Sequence, residues 1–124
     1  MGRSRIRVVV IDDDAATSEG LALLLENAGA EVQVAESATA GLAAIAAFEP
    51  AVVFLDLTLP DLGGIELAAL IRARTARTPY LVAVTGASEA RERALAAGID
   101  EFVVKPPPLD MLTTIVERVS LLAR

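Results

Sequence analysis

Val52-Val53-Phe54-Leu55-Asp56-Leu57-Thr58-Leu59-Pro60-Asp61 is an apolar run that ends on a carboxylate and is stopped by a proline. Its β-branched and aromatic residues, bounded by Pro50 and Pro60, predict a short, fully buried strand; the run is too brief for a helix. Asp56 then stands at the strand's exit. In an open α/β sheet, ligands bind beyond the carboxyl ends of the strands where strand order reverses, so an acid there is placed for chemistry. A lone aspartate after a strand also simply begins a turn. Asp56 is not alone, because Val8-Val9-Val10-Ile11 runs straight into Asp12-Asp13-Asp14.

Working outward, strand Arg7 to Ile11 precedes a helix from about Ala15 to Ala28, capped by Asp14, with Leu21, Leu24 and Leu25 on one face. Gly29 ends it in a left-handed conformation. Val32 and Val34 alternate with Glu31, Gln33 and Ala35, as in an edge strand covered on one face. Ser37 caps a second helix running through Leu42, Ile45 and Phe48 to Pro50. Beyond the Asp56 strand, a loop through Gly63-Gly64 opens a helix carrying Ile65, Leu67, Leu70 and Ile71, broken at Thr78-Pro79. Tyr80 to Val84 is a further buried strand, exiting on Thr85-Gly86. Ser88 caps a helix from Glu89 to Ala97, closed by Gly98. Phe102-Val103-Val104 leads to Lys105-Pro106-Pro107-Pro108 and a last helix with Leu109, Leu112, Ile115, Val116 and Val119 on its apolar face.

Strand and helix thus alternate five times over, which predicts a parallel sheet with helices on both faces, each crossover right-handed. Every strand then exits on one edge of the sheet. That edge carries Asp12 and Asp13, Asp56, Thr85 and Lys105.

The 124 residues fit one domain spanning 1–124. At 54% hydrophobic residues with few aromatics, the chain forms a core of small aliphatics and is not disordered. A net charge of -6 disfavours direct contact with nucleic acid or an anionic membrane, which need basic surfaces. Arg3, Arg5 and Arg7 form the only basic cluster and read as a solvated tail. Three aspartates interrupt the first apolar run too early for a signal peptide, and no membrane span occurs. Without cysteine there is no disulfide, thiol catalysis or sulfur-ligated metal; a reducing, cytoplasmic location is expected. Without histidine the chain has no imidazole base and no histidine of its own to phosphorylate.

Carboxylates converging from two adjacent strands repel, by about 4 kcal/mol for a pair about 4 Å apart at an effective dielectric near 20. A hard divalent cation offsets this, and Mg2+, which takes carboxylates, waters and a phosphate oxygen, suits a site that receives a phosphoryl group. Lys105 supplies a point charge for one phosphoryl oxygen and the Thr85 hydroxyl binds another. Taken singly, these residues are a helix cap, a turn and a surface amine. Each at the end of its own buried strand, they are hard to obtain from structural needs alone.

The chain resembles the receiver domain of bacterial two-component response regulators over nearly its whole length. The matching motifs are Val-Val-Ile-Asp-Asp-Asp at 9–14, Phe-Leu-Asp-Leu-Thr-Leu-Pro-Asp at 54–61, Val-Thr-Gly-Ala at 84–87 and Phe-Val-Val-Lys-Pro at 102–106. This resemblance implies a flavodoxin-like (βα)5 fold, a doubly wound parallel five-stranded sheet of order 2-1-3-4-5. It implies that Asp56 is the phosphoacceptor, taking its phosphoryl group in a phosphorelay from a phosphohistidine on a sensor histidine kinase or a histidine phosphotransfer protein. Asp12, Asp13, Asp56 and the backbone carbonyl of Thr58 would hold Mg2+. Thr85 and Phe102 would form a switch that alters the face made by the fourth helix, last strand and fifth helix, which partners, including a second copy as a homodimer, would read. Such a chain catalyses only its own phosphorylation and dephosphorylation, not multiple turnover.

The sequence departs from the family pattern at Gly63, where an acid is common, and at Pro107-Pro108, where an apolar or aromatic residue follows Lys-Pro. Thr58 and Ala87 occupy positions the family uses to tune aspartyl-phosphate lifetime. The resemblance also implies a cis Lys105-Pro106 bond; the further prolines stiffen the approach to the last helix, with Pro108 expected in its first turn. Two other readings remain open. A receiver-like interaction module would signal without phosphorylation, but its pocket is usually degraded. A haloacid-dehalogenase-like phosphatase uses Asp-x-Asp-x-Thr, whose second acid is here Thr58, and it would leave Asp12-Asp13 unexplained.

Overall fold

A computed structural model of the chain describes residues 5–122, so Arg3 lies outside the described residues. Its elements are β1 (Arg7–Ile11), α1 (Ala15–Asn27), β2 (Glu31–Ala35), α2 (Ala38–Phe48), β3 (Val52–Leu55), α3 (Gly64–Arg74), β4 (Tyr80–Thr85), α4 (Arg91–Ala96), β5 (Glu101–Val104) and α5 (Leu109–Leu122). The five strands are all parallel and stand in the order β2-β1-β3-β4-β5.

Alternation along the strands divides the interior into two layers. Val9, Ile11, Val53, Leu55, Leu81 and Ala83 face α2, α3 and α4, meeting Ile45, Leu67, Ile71 and Ala94. Their neighbours Val8, Val10, Val52, Phe54, Val82 and Val84 face α1 and α5, meeting Leu21, Leu25, Leu112 and Ile115. Strands buried on both sides read as continuous hydrophobic runs because no position along them meets water. β3 is buried at all four of its residues.

The helix ends follow local chemistry where the sequence announced it. Asp14 caps α1, its carboxylate accepting from the Ala16 N–H and the Thr17 hydroxyl, and Gly29 takes φ 101° behind it. Ser37 caps α2 by accepting from the Ala40 N–H.

Six expectations are corrected. Ser88 does not cap a helix: it starts a 3-10 turn, Ser88–Ala90, because its N–H is drawn back to the Gly86 carbonyl, and α4 begins only at Arg91. α3 ends at Arg74, short of Thr78-Pro79, where Thr75 turns extended and donates its hydroxyl to the Ile71 carbonyl. Val34 is exposed on the edge strand β2, where only Ala35 is fully buried and Val32 packs half-buried against the other layer. Leu109 is exposed at the start of α5 while Leu112, Ile115, Val116 and Val119 are buried, and Pro108 lies just before that helix, its carbonyl accepting from the Met111 N–H. Arg7 is not a free tail residue: its guanidinium donates to the Phe48 carbonyl and lies 5.5 Å from the Phe48 ring centroid, a cation at the C-terminus of α2.

Candidate functional site

The register β1 to β3 pairs Ile11 with Leu55, so the next residues, Asp12 and Asp56, leave the sheet side by side. The ladder continues through them: the Asp56 N–H donates to the Ile11 carbonyl at 2.9 Å and the Asp12 N–H to the Ala35 carbonyl at 3.0 Å. On the other side, Thr85 pairs with Val104 at the ends of β4 and β5, and the Lys105 N–H donates to the Thr85 carbonyl at 2.9 Å. The Lys105-Pro106 bond is cis. The strand ends thereby hold Asp12, Asp56, Thr85 and Lys105.

The side chains converge. The Lys105 ammonium donates to Asp12 Oδ2 at 2.8 Å and to Asp56 Oδ2 at 3.0 Å, bridging two carboxylates that are almost wholly buried. Asp13 is exposed beside them, and Asp12, Asp13 and Asp56 each offer a carboxylate oxygen within 4.8 Å of the others. Asp56 Oδ1 accepts from the Thr58 N–H at 3.1 Å and from the Thr58 hydroxyl at 3.2 Å. Thr85 is fully buried, its hydroxyl oxygen accepting from the Ala87 N–H.

These contacts fix the charge of the acid. Burial pushes the Asp56 pKa up, but the Lys105 ammonium, the Thr58 N–H and the Thr85 hydroxyl outweigh it and hold the carboxyl below its ordinary 3.8. The reverse competition acts on Lys105: burial pulls it down, while Asp12 and Asp56 hold it above its ordinary 10.5. Asp56 is therefore an ionised carboxylate at neutral pH. Three carboxylates with only oxygen donors also fit a hard divalent cation, and no cysteine or histidine competes for it.

Behind Asp56 the chain turns tightly into α3, and Gly64 is the residue that allows it. A Cβ at this position would lie 2.5 Å from the Asp56 carbonyl oxygen and 2.6 Å from the Leu57 Cα, both backbone atoms that cannot swing aside. Gly64→Ala is expected to lower stability by about 1–3 kcal/mol, the range for overpacking; an unchanged denaturation midpoint would show that the turn has slack.

Every strand-end residue expected at the site is brought into it: Asp12, Asp13, Asp56, Thr85 and Lys105. Phe102 stands apart in the layer facing α4, largely buried, with the Arg91 guanidinium 5.8 Å from its ring centroid. Sequence reasoning gave no separate role to Asp61, which reaches across to α2. It also missed a polar cluster at the opposite edge of the sheet, where the Tyr80 hydroxyl donates to Glu101 at 2.6 Å and Arg118 pairs with the same carboxylate. Neither has a local sequence signal.

Comparison with known proteins agrees with this geometry. The family model for the response regulator receiver domain matches residues 8–117. The cell cycle transcriptional regulator CtrA of Caulobacter vibrioides is 30% identical over 103 residues, covering 82% of this chain and 44% of CtrA. The DNA-binding response regulator MtrA of Mycobacterium tuberculosis is 32% identical over 114 residues, covering 86% of this chain and 46% of MtrA. The chain thus spans less than half the length of these relatives. Among solved structures, a CheY-like response regulator receiver domain protein from Methanospirillum hungatei superposes with a TM-score of 0.83 at 32% identity, over 95% of this chain and 96% of that one. The Francisella response regulator 1452 receiver domain shares the fold, with a TM-score of 0.88 at 24% identity over 97% and 100% of the two chains. With a matched family model, shared strand order and an acid-lysine cluster on the strand ends, the chain belongs to the response regulator receiver domain family.

Proposed function

We propose that residues 1–124 form one phosphoacceptor domain in which Asp56 takes a phosphoryl group from a phosphohistidine on a sensor histidine kinase or histidine phosphotransfer protein. The observation that carries this reading is the Lys105 ammonium lying between Asp12 and Asp56, with the Asp13 carboxylate beside them. An Asp56 carboxylate oxygen attacks phosphorus, the P–N bond breaks, and its electron pair leaves with the imidazole of the donor. The nucleophile is already ionised, so no base is needed, and the chain has no histidine to act as one. Its ground-state partners position it.

Asp12, Asp13, Asp56 and the Thr58 backbone carbonyl would hold Mg2+. The cation supplies charge neutralisation for the transferring oxygens. Lys105, mobile on its four-carbon stem, neutralises another oxygen, and the Thr85 hydroxyl donates to a third. Movement of Thr85 toward the phosphoryl group frees space beside β5 into which the Phe102 ring turns. The readout face, on α4, β5 and the start of α5, carries the exposed Leu95, Val104, Leu109 and Met111, a surface suited to a protein partner or a second copy of the chain. Among the described residues no helix is long and apolar enough to cross a membrane, in keeping with a cytoplasmic signalling role.

Cation binding to the folded chain alone raises stability by mass action, by about 2.7 kcal/mol when Mg2+ exceeds its dissociation constant a hundredfold. Wild type is expected to melt higher with Mg2+, and Asp13→Ala, which removes an exposed ligand, to lose most of that shift. Identical shifts in differential scanning calorimetry would remove Asp13 from the cation site.

A further inference from the structure

The loop between β3 and α3 carries two groups the proposed site needs, the Asp56 side chain and the Thr58 carbonyl. Local contacts hold its ends: the Thr58 N–H donates to Asp56 Oδ1 at 3.1 Å and the Gly64 N–H to the Leu57 carbonyl at 2.9 Å. Between them, Asp61 reaches out to a different element. Its Oδ1 accepts from the Ala38 N–H at 2.9 Å, and its Oδ2 accepts from the Thr39 N–H at 2.9 Å and the Thr39 hydroxyl at 2.7 Å.

Ala38 and Thr39 open α2, and that helix has no acidic residue of its own in its first turn. A helix begins with four N–H groups that lack intrahelical partners. Here the Gly41 N–H makes the first intrahelical bond, to the Ser37 carbonyl, and the Ser37 side chain takes the Ala40 N–H. The Ala38 and Thr39 N–H groups go to Asp61. The Thr39 and Ala38 N–H groups, in that order, hold its carboxyl down at about 2, so the bridge keeps its charge at every pH near neutrality. Among the described residues no other side chain from 59–63 hydrogen-bonds to a separate element; Leu59 and Leu62 add only apolar contact.

A backbone carbonyl cannot be re-aimed by changing a rotamer; its position is the loop's conformation. Pro60, with its fixed φ, stiffens the short segment between Thr58 and Asp61, so a shift at Asp61 is passed along the chain. We propose that Asp61 is a positioning residue of the phosphoryl-transfer site: by docking the loop on the first turn of α2, it fixes the Thr58 carbonyl relative to Asp56 and so sets the site's affinity for its cation. This rests on the reading of the site given above.

Isothermal titration of Mg2+ into the full chain without any phosphodonor, well below each variant's melting temperature, tests it. Asp61→Ala is expected to raise the Mg2+ dissociation constant roughly 10-fold, the lower end of the cost of losing a group that orients metal ligands. Thr39→Val, which deletes only the hydroxyl bond on an exposed residue, raises it by a smaller factor, and Thr39→Ser leaves it unchanged. With acetyl phosphate as donor, the half-saturating Mg2+ concentration rises in Asp61→Ala while the rate at saturating Mg2+ stays within about twofold, the pattern of lost ground-state binding. A lower melting temperature with a wild-type Mg2+ constant would make Asp61 a helix cap alone and overturn the proposal. Wild type that binds no Mg2+ would overturn both the cation site and the proposal. Wild type that binds Mg2+ more tightly than Asp61→Ala, yet gains no phosphoryl group, would uphold the positioning role and overturn the function proposed for Asp56.

Discussion

Asp56→Asn gains no phosphoryl group when incubated with Mg2+ and acetyl phosphate, while the wild-type chain gains one. The substitution preserves size and leaves the backbone bond from the Asp56 N–H to the Ile11 carbonyl in place. It removes the negative charge that makes the side chain a nucleophile. Asp12 and Asp13 lie within 4.8 Å and are carboxylates too, so the experiment decides among three acids. Asp12 shares the Lys105 ammonium and likewise has a backbone N–H on its other oxygen; what singles out Asp56 is the added Thr58 hydroxyl bond and its place at the end of the central strand β3. Intact-protein mass spectrometry reads the result, and equal labelling of variant and wild type would remove Asp56 as acceptor. The pH dependence has a definite sign. Because the Asp56 carboxyl is held below 3.8, the wild-type rate does not fall from loss of the nucleophile as pH drops from neutral toward about 5. It falls only when the pH enters or passes below the ordinary carboxylate range. A rate that halves near pH 6 would contradict an Asp56 of depressed pKa.

The strands were legible because they are extreme. Val8 to Ile11 and Val52 to Leu55 are unbroken apolar runs that stop on acids, and such runs have few uses other than strands buried on both faces. Their acidic ends marked the site for the same reason. Which strands pair is another matter: nothing in Val52 to Leu55 says that it lies between β1 and β4, and that order came from resemblance to a family. Local signals also failed where two were in competition. Ser88 looks like a helix cap, yet its own N–H turns back to the Gly86 carbonyl and the chain closes a tighter turn first. Asp61 was hidden because Ser37 already supplied the cap that α2 called for locally, and the acid that completes the helix end lies 23 residues away from Ala38. The cluster of Tyr80, Glu101 and Arg118 draws on three elements and leaves no pattern in any of them. Long-range polar contacts are set by the fold and are read only after it.

Lys105→Ala is expected to be less stable than wild type by about 2–3 kcal/mol at pH 7 in the presence of chelator. Removing one partner of a fully buried ion pair costs roughly 3–5 kcal/mol, because the other charge is left unsatisfied. Lys105 leaves two such charges, but its side chain is 25% exposed, and water softens the loss. The pH profile separates this cause from lost packing. In wild type the raised Lys105 pKa stabilises the fold below about 10.5 and ceases to do so as pH rises through the folded value. The lowered Asp56 pKa stabilises it above 3.8 and ceases to as pH falls through the folded value. Wild type is therefore flat between those ranges. In Lys105→Ala the burial that pushes the Asp56 carboxyl up loses its chief opponent, the ammonium, so the folded state takes up a proton more readily and stability rises as pH falls from neutral toward 5. Urea titrations across that range should show the gap to wild type closing, and Mg2+ at pH 7 should close it as well by supplying the missing positive charge. A gap of constant size at pH 5 and 7 would mean that the stem of Lys105 matters and its ammonium does not. Phosphorylation at saturating Mg2+ should fall roughly 10²–10³-fold, the cost of losing one donor to a developing anion.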